Sequence, residues 1–224
     1  MSGKNDRQQS TRVVVLGLGR FGRSLARELV TSGTQVLGID NDPKIIQRLA
    51  EDLTQTAVAD TTDRDSLMQL GVHKFPHAVV AVGTDLESSI LTTSLLADFQ
   101  VPQIWAKATS RQHSRILERV GAHHVVIPEH DMGERVAHLV TGRMLDYIEF
   151  GDDYAMVKTL APADAIGMPL KDSELRRKYE ITVVAVKRPG QNFTYATQET
   201  VLMRGDILVV AGKIRQVEAF ANVT

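Results

Sequence analysis

Short apolar runs alternate with longer segments of helical pattern over roughly the first 130 residues. Each run is almost entirely apolar, which is typical of parallel strands that are covered on both faces. The six runs are residues 13–16, 36–39, 56–59, 78–82, 104–106 and 124–127. The helical patterns between them are residues 20–32, 43–51, 63–70, 86–99 and 110–119. This alternation predicts an α/β fold, a Rossmann-like doubly wound parallel sheet.

The pattern changes near residue 150. A helix predicted over residues 132–147 leads to no seventh parallel strand, so we interpret it as a connector. Beyond it the sequence predicts a small α+β domain with strands at 154–160, 181–187 and 207–211 and helices at 172–179 and 214–221. The predicted organisation is a polar tail (1–11), the α/β domain (12–131), the helix and connector (132–150) and the C-terminal domain (151–224).

Composition narrows the function classes. The 224 residues include 26 basic and 27 acidic side chains, so no basic excess favours nucleic acid. Cysteine is absent, which excludes disulfides, zinc–thiolate sites and thiol nucleophiles. The N-terminal segment lacks the apolar core of a signal peptide, and no run approaches the ~18 apolar residues of a membrane span. We therefore expect a soluble protein that can still dock on a membrane partner.

The first apolar run leads into Gly17-Leu-Gly-Arg-Phe-Gly22, a G-x-G-x-x-G motif that opens a helix. Its glycines allow a tight turn, close approach of the backbone to a diphosphate, and close packing of helix on strand. Asp40 ends the next strand, at the spacing of an acidic residue that binds ribose hydroxyls. The same carboxylate would repel a 2′-phosphate, so the sequence disfavours NADP.

Polar side chains also follow the later strands, and ligands of such sheets lie at these carboxyl ends. Asp60, Thr84 and Asp85 each precede a helical pattern, so helix capping is an equal alternative to ligand contact. Lys107 ends an apolar strand and suits a phosphate charge. Glu129 would repel a phosphate unless a cation or an arginine joins them, which indicates a metal-bridged polyphosphate.

Catalytic signals are weak in comparison. Tyr154 and Lys158 match a Y-x-x-x-K pair, but the surrounding alternation predicts a strand that would hold them ~13 Å apart. No evident general base accompanies the nucleotide motif. The sequence therefore predicts a protein that is not an enzyme, and a small NAD-dependent dehydrogenase stays the less favoured alternative.

Several stretches together resemble the RCK (KTN) family. They are V-x-G-L-G-R-F-G, V-L-G-I-D, V-V-A-V-G-T-D and I-W-A-K-A, and most specifically Ile127-Pro-Glu-His-Asp-Met-Gly133. The chain is similar in particular to the KtrA/TrkA-type cytosolic regulatory subunits of bacterial potassium uptake systems. The resemblance covers residues 12–224, with an RCK-N domain, a crossover helix and an RCK-C domain.

The resemblance implies a gating subunit that forms homodimers within a homo-octameric ring. The ring would lie at the inner face of the membrane, against a membrane-embedded potassium-translocating subunit of the KtrB/TrkH kind. ATP and ADP would shift it between conformations, with a divalent or monovalent cation at the phosphates. The alternative is a subunit of the TrkA type that binds NAD or NADH, since Asp40 suits either ligand. Relatives can also bind cyclic di-AMP in the C-terminal domain, where Arg176 would meet a phosphate; a solvated basic helix face is the other interpretation.

The resemblance also implies roles for individual residues. Arg20 would reach a phosphate of the nucleotide in its own subunit or in a neighbouring one. Asp60 and Thr61 would flank the adenine, and Glu129 would approach the terminal phosphates. Asp60 stands where some relatives have asparagine, so this contact can differ. The complete expected site is Gly17, Gly19, Arg20, Phe21, Gly22, Asp40, Asn41, Asp42, Asp60, Thr61, Val82, Gly83, Thr84, Lys107, Ala108, Thr109, His113 and Glu129.

Overall fold

The computed structural model describes residues 12–83, 85–140, 142, 144–151 and 153–224. The predicted polar tail (1–11) and Thr84, one of the expected site residues, lie outside this range. The chain divides into two compact units, Met1–Glu129 and His130–Thr224. The two units are described separately below.

The first unit alternates strands and helices as the sequence predicts. Its strands are β1 (Arg12–Leu16), β2 (Gln35–Asp40), β3 (Gln55–Val58), β4 (His77–Val80), β5 (Gln103–Lys107) and β6 (His124–Val126). Its helices are α1 (Arg20–Thr31), α2 (Pro43–Leu49), α3 (Arg64–Gln69), α4 (Leu86–Asp98) and α5 (Arg111–Arg119). A further helix, α6 (Pro128–Val140), begins at the end of this unit.

The six strands form one sheet in the order β3-β2-β1-β4-β5-β6, and every neighbouring pair is parallel. Successive residues of β1 point to opposite faces, so Val13 and Val15 pack in one apolar cluster and Val14 and Leu16 in another. The first cluster includes side chains of α1 and α2, and the second includes side chains of α3, α4 and α5. The sheet is therefore doubly wound, as predicted.

Close packing of α1 on the end of β1 depends on Gly22. A Cβ atom on Gly22 would lie 2.0 Å from the carbonyl oxygen of Gly17 and 3.0 Å from the Cβ of Ala81. Since the first contact is with backbone, no side-chain rotation can relieve it. The third glycine of the motif thus fixes how closely the helix start approaches the sheet.

The second unit is built on an antiparallel sheet. Its strands are β7 (Asp146–Gly151), β8 (Tyr154–Leu160), β9 (Thr182–Lys187), β10 (Thr194–Tyr195) and β11 (Ile207–Lys213). They are ordered β10-β9-β11-β8-β7. Helices α7 (Leu175–Tyr179) and α8 (Ile214–Ala221) contribute Leu175, Val217 and Phe220 to its buried core. This arrangement confirms the predicted α+β C-terminal domain.

The prediction of one helix over residues 132–147 was wrong at both ends. The helix α6 starts earlier, at Pro128, a residue suited to the first helical turn. It ends at Val140, because Gly142 has a φ of 72° and donates its N–H to the carbonyl of Leu139. Part of the predicted connector (132–150) is strand β7, whose Ile148 pairs with Met156 of β8. The helix predicted at 172–179 is likewise reduced to α7, since Glu174 adopts a φ of 55°.

Within the residues that the structure describes, no helix is long and apolar enough to cross a membrane.

The contact at Gly22 generates the first prediction. The Gly22→Ala variant should lose roughly 1–3 kcal/mol of unfolding free energy, because the added methyl group forces the helix start away from the sheet. Gly19→Ala is the matched control, since a Cβ at Gly19 meets nothing within 4 Å. The control should lose less than ~1 kcal/mol, as expected for alanine at a helix N-cap. Equal stabilities of the two variants in urea denaturation would contradict this account.

Candidate functional site

A cleft of about 860 Å³ opens in the first unit where the parallel strands end. The lining residues come from the β1–α1 loop, from the ends of β2, β4 and β5, and from the first turns of four helices. The residues that line it are Gly17, Gly19, Arg20, Phe21, Ser24, Asp40, Asn41, Ile45, Asp60, Thr61, Ala81, Val82, Gly83, Asp85, Ser88, Lys107, Thr109 and Glu129. The position is the one that doubly wound sheets offer to ligands.

The glycine loop turns the start of α1 toward this cleft. Gly17 donates its N–H to the carbonyl of Ile39 at 2.8 Å, which fixes the loop on β2. Gly19 is the N-cap, and no side chain caps it. The first turn of α1 contains no acidic residue. Its backbone N–H groups and the positive end of the helix dipole can therefore meet an anion.

Asp40 lies at the end of β2 and is buried, with 8% of its surface exposed. Its Oδ2 accepts the N–H of Leu18 at 2.6 Å, and its Oδ1 accepts the N–H of Asp42 at 2.9 Å. The sequence predicted a ribose ligand here, whereas the structure first gives the carboxylate a structural role in holding the loop. Each oxygen retains a further acceptor site, so ribose hydroxyls can still donate to it.

Lys107, Glu129 and Arg20 form the charged end of the cleft. The Lys107 Nζ donates to Glu129 Oε1 at 2.6 Å and lies 5.8 Å from the centre of the Phe21 ring. The hydrogen bond from Lys107 holds the pKa of the Glu129 carboxyl below its usual range, and the charge of Arg20 acts in the same direction. Glu129 is therefore ionised at neutral pH, and Lys107 supplies the neutralising charge that the sequence had assigned to a cation.

Asp60 and Thr61 are both partly engaged by the protein. Asp60 Oδ1 accepts the N–H and the hydroxyl of Thr62 at 2.8 and 2.7 Å, so one oxygen is used in a local turn. The Thr61 hydroxyl accepts a hydrogen bond from Thr92 at 2.9 Å beneath the cleft. Both residues border the cleft. The second carboxylate oxygen of Asp60, Oδ2, takes no part in the hydrogen bonds of the turn.

Of the expected site residues that the structure describes, four do not line the cleft. Gly22 packs against the loop, Ala108 is fully buried, and Asp42 caps α2 by accepting the N–H of Lys44 at 2.8 Å. His113 is 3% exposed, and burial lowers its pKa. Its Nδ1 accepts the N–H of Thr109 at 3.3 Å, so it supports a lining residue from behind.

Five residues that line the cleft are not among the expected site residues. Asp85 had been noted as either a ligand contact or a helix cap, and it does cap α4, with Ser88 donating its N–H and its hydroxyl at 3.1 and 2.7 Å. The Ser88 hydroxyl lowers the pKa of Asp85. Ser24 lies one helical turn after Arg20, a spacing that could have identified it. Ile45 and Ala81 are apolar and carried no such signal.

The cleft is acidic in its overall lining. Two basic side chains, Arg20 and Lys107, face four acidic ones: Asp40, Asp60, Asp85 and Glu129. Among the described residues, no group of three or more His, Cys, Asp or Glu side chains has the arrangement of a metal site. A cation at Glu129 therefore stays a prediction that would need ligand phosphates to complete its coordination.

The second unit contains a separate cavity of about 680 Å³ whose lining includes Arg176 and Arg177. Arg176 donates to the hydroxyl of Thr182 at 2.9 Å. Tyr154 and Lys158 lie on one strand, β8, as predicted, and not on the helix that a Y-x-x-x-K pair requires.

Comparisons with known proteins agree with this architecture. The TrkA-N domain family matches residues 13–128, and the TrkA-C domain family matches residues 155–224. Ktr system potassium uptake protein C of Bacillus subtilis is 35% identical over 92% of this chain and 94% of the relative. Ktr system potassium uptake protein A of the same organism is 33% identical over 96% of this chain and 98% of the relative. Both are named for potassium uptake and not for a chemical reaction, in agreement with a non-enzymatic protein.

Solved structures share the fold at low sequence identity. The RCK domain of GsuK has a TM-score of 0.66 at 19% identity over 95% of this chain and 47% of the GsuK chain. The GsuK channel bound to NAD has a TM-score of 0.65 at 18% identity, over 95% of this chain and 39% of that one. Together with the two domain matches and the full-length relatives, this confirms the resemblance seen in the sequence: the chain belongs to the TrkA-N/TrkA-C (RCK) domain family of the Ktr potassium uptake proteins.

Proposed function

We propose that the chain is a nucleotide-sensing regulatory subunit of a potassium uptake system, with ATP and ADP as its ligands. The observation that carries the proposal is the cleft, where the open start of α1 lies beside Arg20 and Lys107. The two Ktr relatives, covered over nearly their full lengths, support the link to potassium uptake.

The charged end of the cleft favours a polyphosphate over a hydride carrier. A diphosphate needs the glycine loop and the helix start, which any Rossmann-like site provides. Lys107 and Glu129 extend the site beyond that loop, where a third phosphate could compete with Glu129 for the Lys107 ammonium. Such competition would let the cleft distinguish ATP from ADP. The alternative ligand is NAD or NADH, because Asp40 suits the ribose of either.

Helix α6 supports assembly into homodimers and a ring, with an octamer as our proposal. None of its residues is buried, and Met132, Val136 and Val140 are 53, 44 and 77% exposed. Spaced four residues apart, they form an apolar stripe on one helix face. A second copy of the chain would cover this stripe, and the ring would contact a membrane-embedded potassium-translocating subunit at the cytoplasmic face.

The cavity of the second unit is our proposed site for a second ligand, cyclic di-AMP. Arg176 and Arg177 could meet its phosphates, although Arg176 is bonded to Thr182 and Arg177 to Glu174. A solvated basic surface is the alternative.

Regulation would follow from differential binding. A ligand shifts a conformational equilibrium only by the ratio of its affinities for the two states, and a tenfold ratio corresponds to about 1.4 kcal/mol. ATP must therefore bind one ring conformation more tightly than the other. ADP must either bind the other conformation more tightly or have a weaker preference for the first.

Titration calorimetry of the purified chain with ATP, ADP and NADH tests the ligand. We expect ATP and ADP to bind one site per chain and to exclude each other. Potassium flux through the co-purified membrane subunit in liposomes should then differ between ATP and ADP. Absence of nucleotide binding, or equal flux with both nucleotides, would refute the proposal; binding of NADH alone would select the alternative ligand.

Asp40 and Asp42 provide a matched pair for the ribose position. Asp40→Ala should weaken ADP binding at least ~10-fold and lower stability by about 1–3 kcal/mol, because Leu18 loses its buried acceptor. Asp42→Ala should lower stability by about 1 kcal/mol through the lost helix cap, with ADP affinity unchanged. Calorimetry and thermal unfolding measure both effects. An unchanged ADP affinity of the Asp40 variant would mean that the ribose lies elsewhere.

Glu129→Gln tests whether a cation bridges this carboxylate and the phosphates. We expect Mg²⁺ to raise the ATP affinity of the unmodified protein and to have little effect on the variant. Without Mg²⁺ the variant should bind ATP more tightly, because a carboxylate that repels the phosphates is gone. Glu118→Gln, an exposed acidic residue of α5, is the control. Full Mg²⁺ dependence in the Glu129 variant would show that Glu129 serves only to pair with Lys107.

A further inference from the structure

The outer surface of α1 and α2 is strongly basic. Its exposed cationic side chains outnumber the single acidic one, Glu28. The chain as a whole has a formal net charge of -1, so this surface is a local excess and not a general property. The basic residues of these two helices are Arg20, which also lines the cleft, and Arg23, Arg27, Lys44 and Arg48.

Three of these arginines surround one small depression, which we call the basic notch. It has a volume of about 70 Å³ and is lined by Arg23, Arg27, Ile45, Arg48 and Leu49. A water molecule occupies roughly 30 Å³ of liquid volume, so the notch has room for one compact oxyanion and not for a nucleoside. Guanidinium groups bind the oxygens of phosphates through paired N–H donors.

The positive charge around the notch is only partly balanced. Arg27 pairs with Asp52 at 2.7 Å, and Arg48 donates its Nε to the carbonyl of Lys44 at 3.0 Å. Within the part of the chain that the structure describes, no acidic side chain forms an ion pair with Arg23 or Arg48. These two arginines therefore present guanidinium charge to the same small space, a repulsive arrangement that an anion would relieve.

The notch adjoins the nucleotide cleft. Ile45 lines both, and the cleft is also lined by Asn41, which directly follows β2 where the ribose is expected. The notch and the cleft therefore share Ile45 as a lining residue, and the residues that line the notch do not include Lys107 or Glu129.

We propose that the basic notch is a phosphoryl-binding subsite. Two sources supply this chemistry: a further phosphate on the ribose of a nucleotide in the cleft, whose repulsion by Asp40 the two arginines would have to offset, or a free phosphate ion. The ribose source rests on the proposed nucleotide function, whereas the free ion does not. In either case Arg23 and Arg48 hold the phosphoryl oxygens, and Arg27 is positioned beside them by Asp52.

The test compares the full-length chain with the double variant Arg23→Ala/Arg48→Ala. Calorimetry at low ionic strength measures ADP, ADP phosphorylated at the 2′ or 3′ position of the ribose, and inorganic phosphate added alone. The control is Arg115→Ala/Arg119→Ala, which removes two exposed arginines of α5 that line neither the notch nor the cleft. Thermal unfolding of all three proteins confirms that they are folded.

If the phosphate is attached to the ribose, the phosphorylated nucleotide should bind at least ~10-fold more tightly than ADP, the gain from a charge-assisted contact. This gain should vanish in the notch variant and remain in the control, with ADP affinity unchanged in both. If the phosphate is free, inorganic phosphate should bind the unmodified chain and the control and should bind the notch variant at least ~10-fold more weakly.

The proposal is overturned if neither the phosphorylated nucleotides nor phosphate distinguish the unmodified chain from the notch variant. If the chain binds no ADP, the proposed nucleotide function is refuted. The binding of inorganic phosphate alone then decides whether the notch is a phosphoryl-binding subsite. The two failures are thus separable.

Discussion

The hydrogen bond from the Leu18 N–H to the Asp40 carboxylate connects residues that are 22 positions apart. It fastens the glycine loop to the end of β2, and the N–H of Gly17 adds a second link to the same strand at Ile39. With the loop fixed, the first turn of α1 faces the cleft and not the solvent beside it. A buried carboxylate that accepts two backbone N–H groups thus sets both the shape of the loop and the direction of its donors. In our proposed function, stability and nucleotide binding are therefore coupled at this one residue.

The acidic residues of the cleft differ in whether the protein already occupies them with hydrogen bonds. Asp40 and Asp85 are already engaged by backbone N–H groups, and Asp60 by its own turn. The electrostatics at the far end of the cleft depend instead on Lys107 and Glu129, whose hydrogen bond a ligand phosphate would have to bridge or replace. In our proposed function this exchange is what separates ATP from ADP, since a shorter nucleotide would leave the pair intact.

The fold was largely predictable because its signals are local. Apolar strands, capping residues such as Asp42, and the G-x-G-x-x-G motif each specify a short segment, and parallel strands then place their carboxyl ends together. The candidate site was predictable to the extent that its residues follow strands. The burial of His113 was not predictable. A polar residue in the first turn of a helix faces the cleft or the core according to tertiary packing, which the pattern of apolar and polar residues does not encode. Ile45 gave no signal, because an apolar residue in an amphipathic helix is expected in the core.

The position at which α6 ends explains why the prediction of one helix over residues 132–147 was wrong. The apolar positions of residues 132–147 fit a helical period, but Gly142 terminates the helix and the aromatic and β-branched residues that follow pair with β8 instead.

What remains is a helix of 13 residues without a buried side chain, a length that is marginal for an isolated helix in water. Its first turn carries Glu129, which Lys107 binds in the cleft, and its later turns carry the exposed stripe of Met132, Val136 and Val140. The helix is held by its own chain at Arg135, which pairs with Asp146, and at His138, which stacks on Tyr147, whereas the exposed apolar stripe needs another surface to cover it. In our proposal that surface is a second copy, so a change at Glu129 caused by the nucleotide acts directly on the element through which the copies meet.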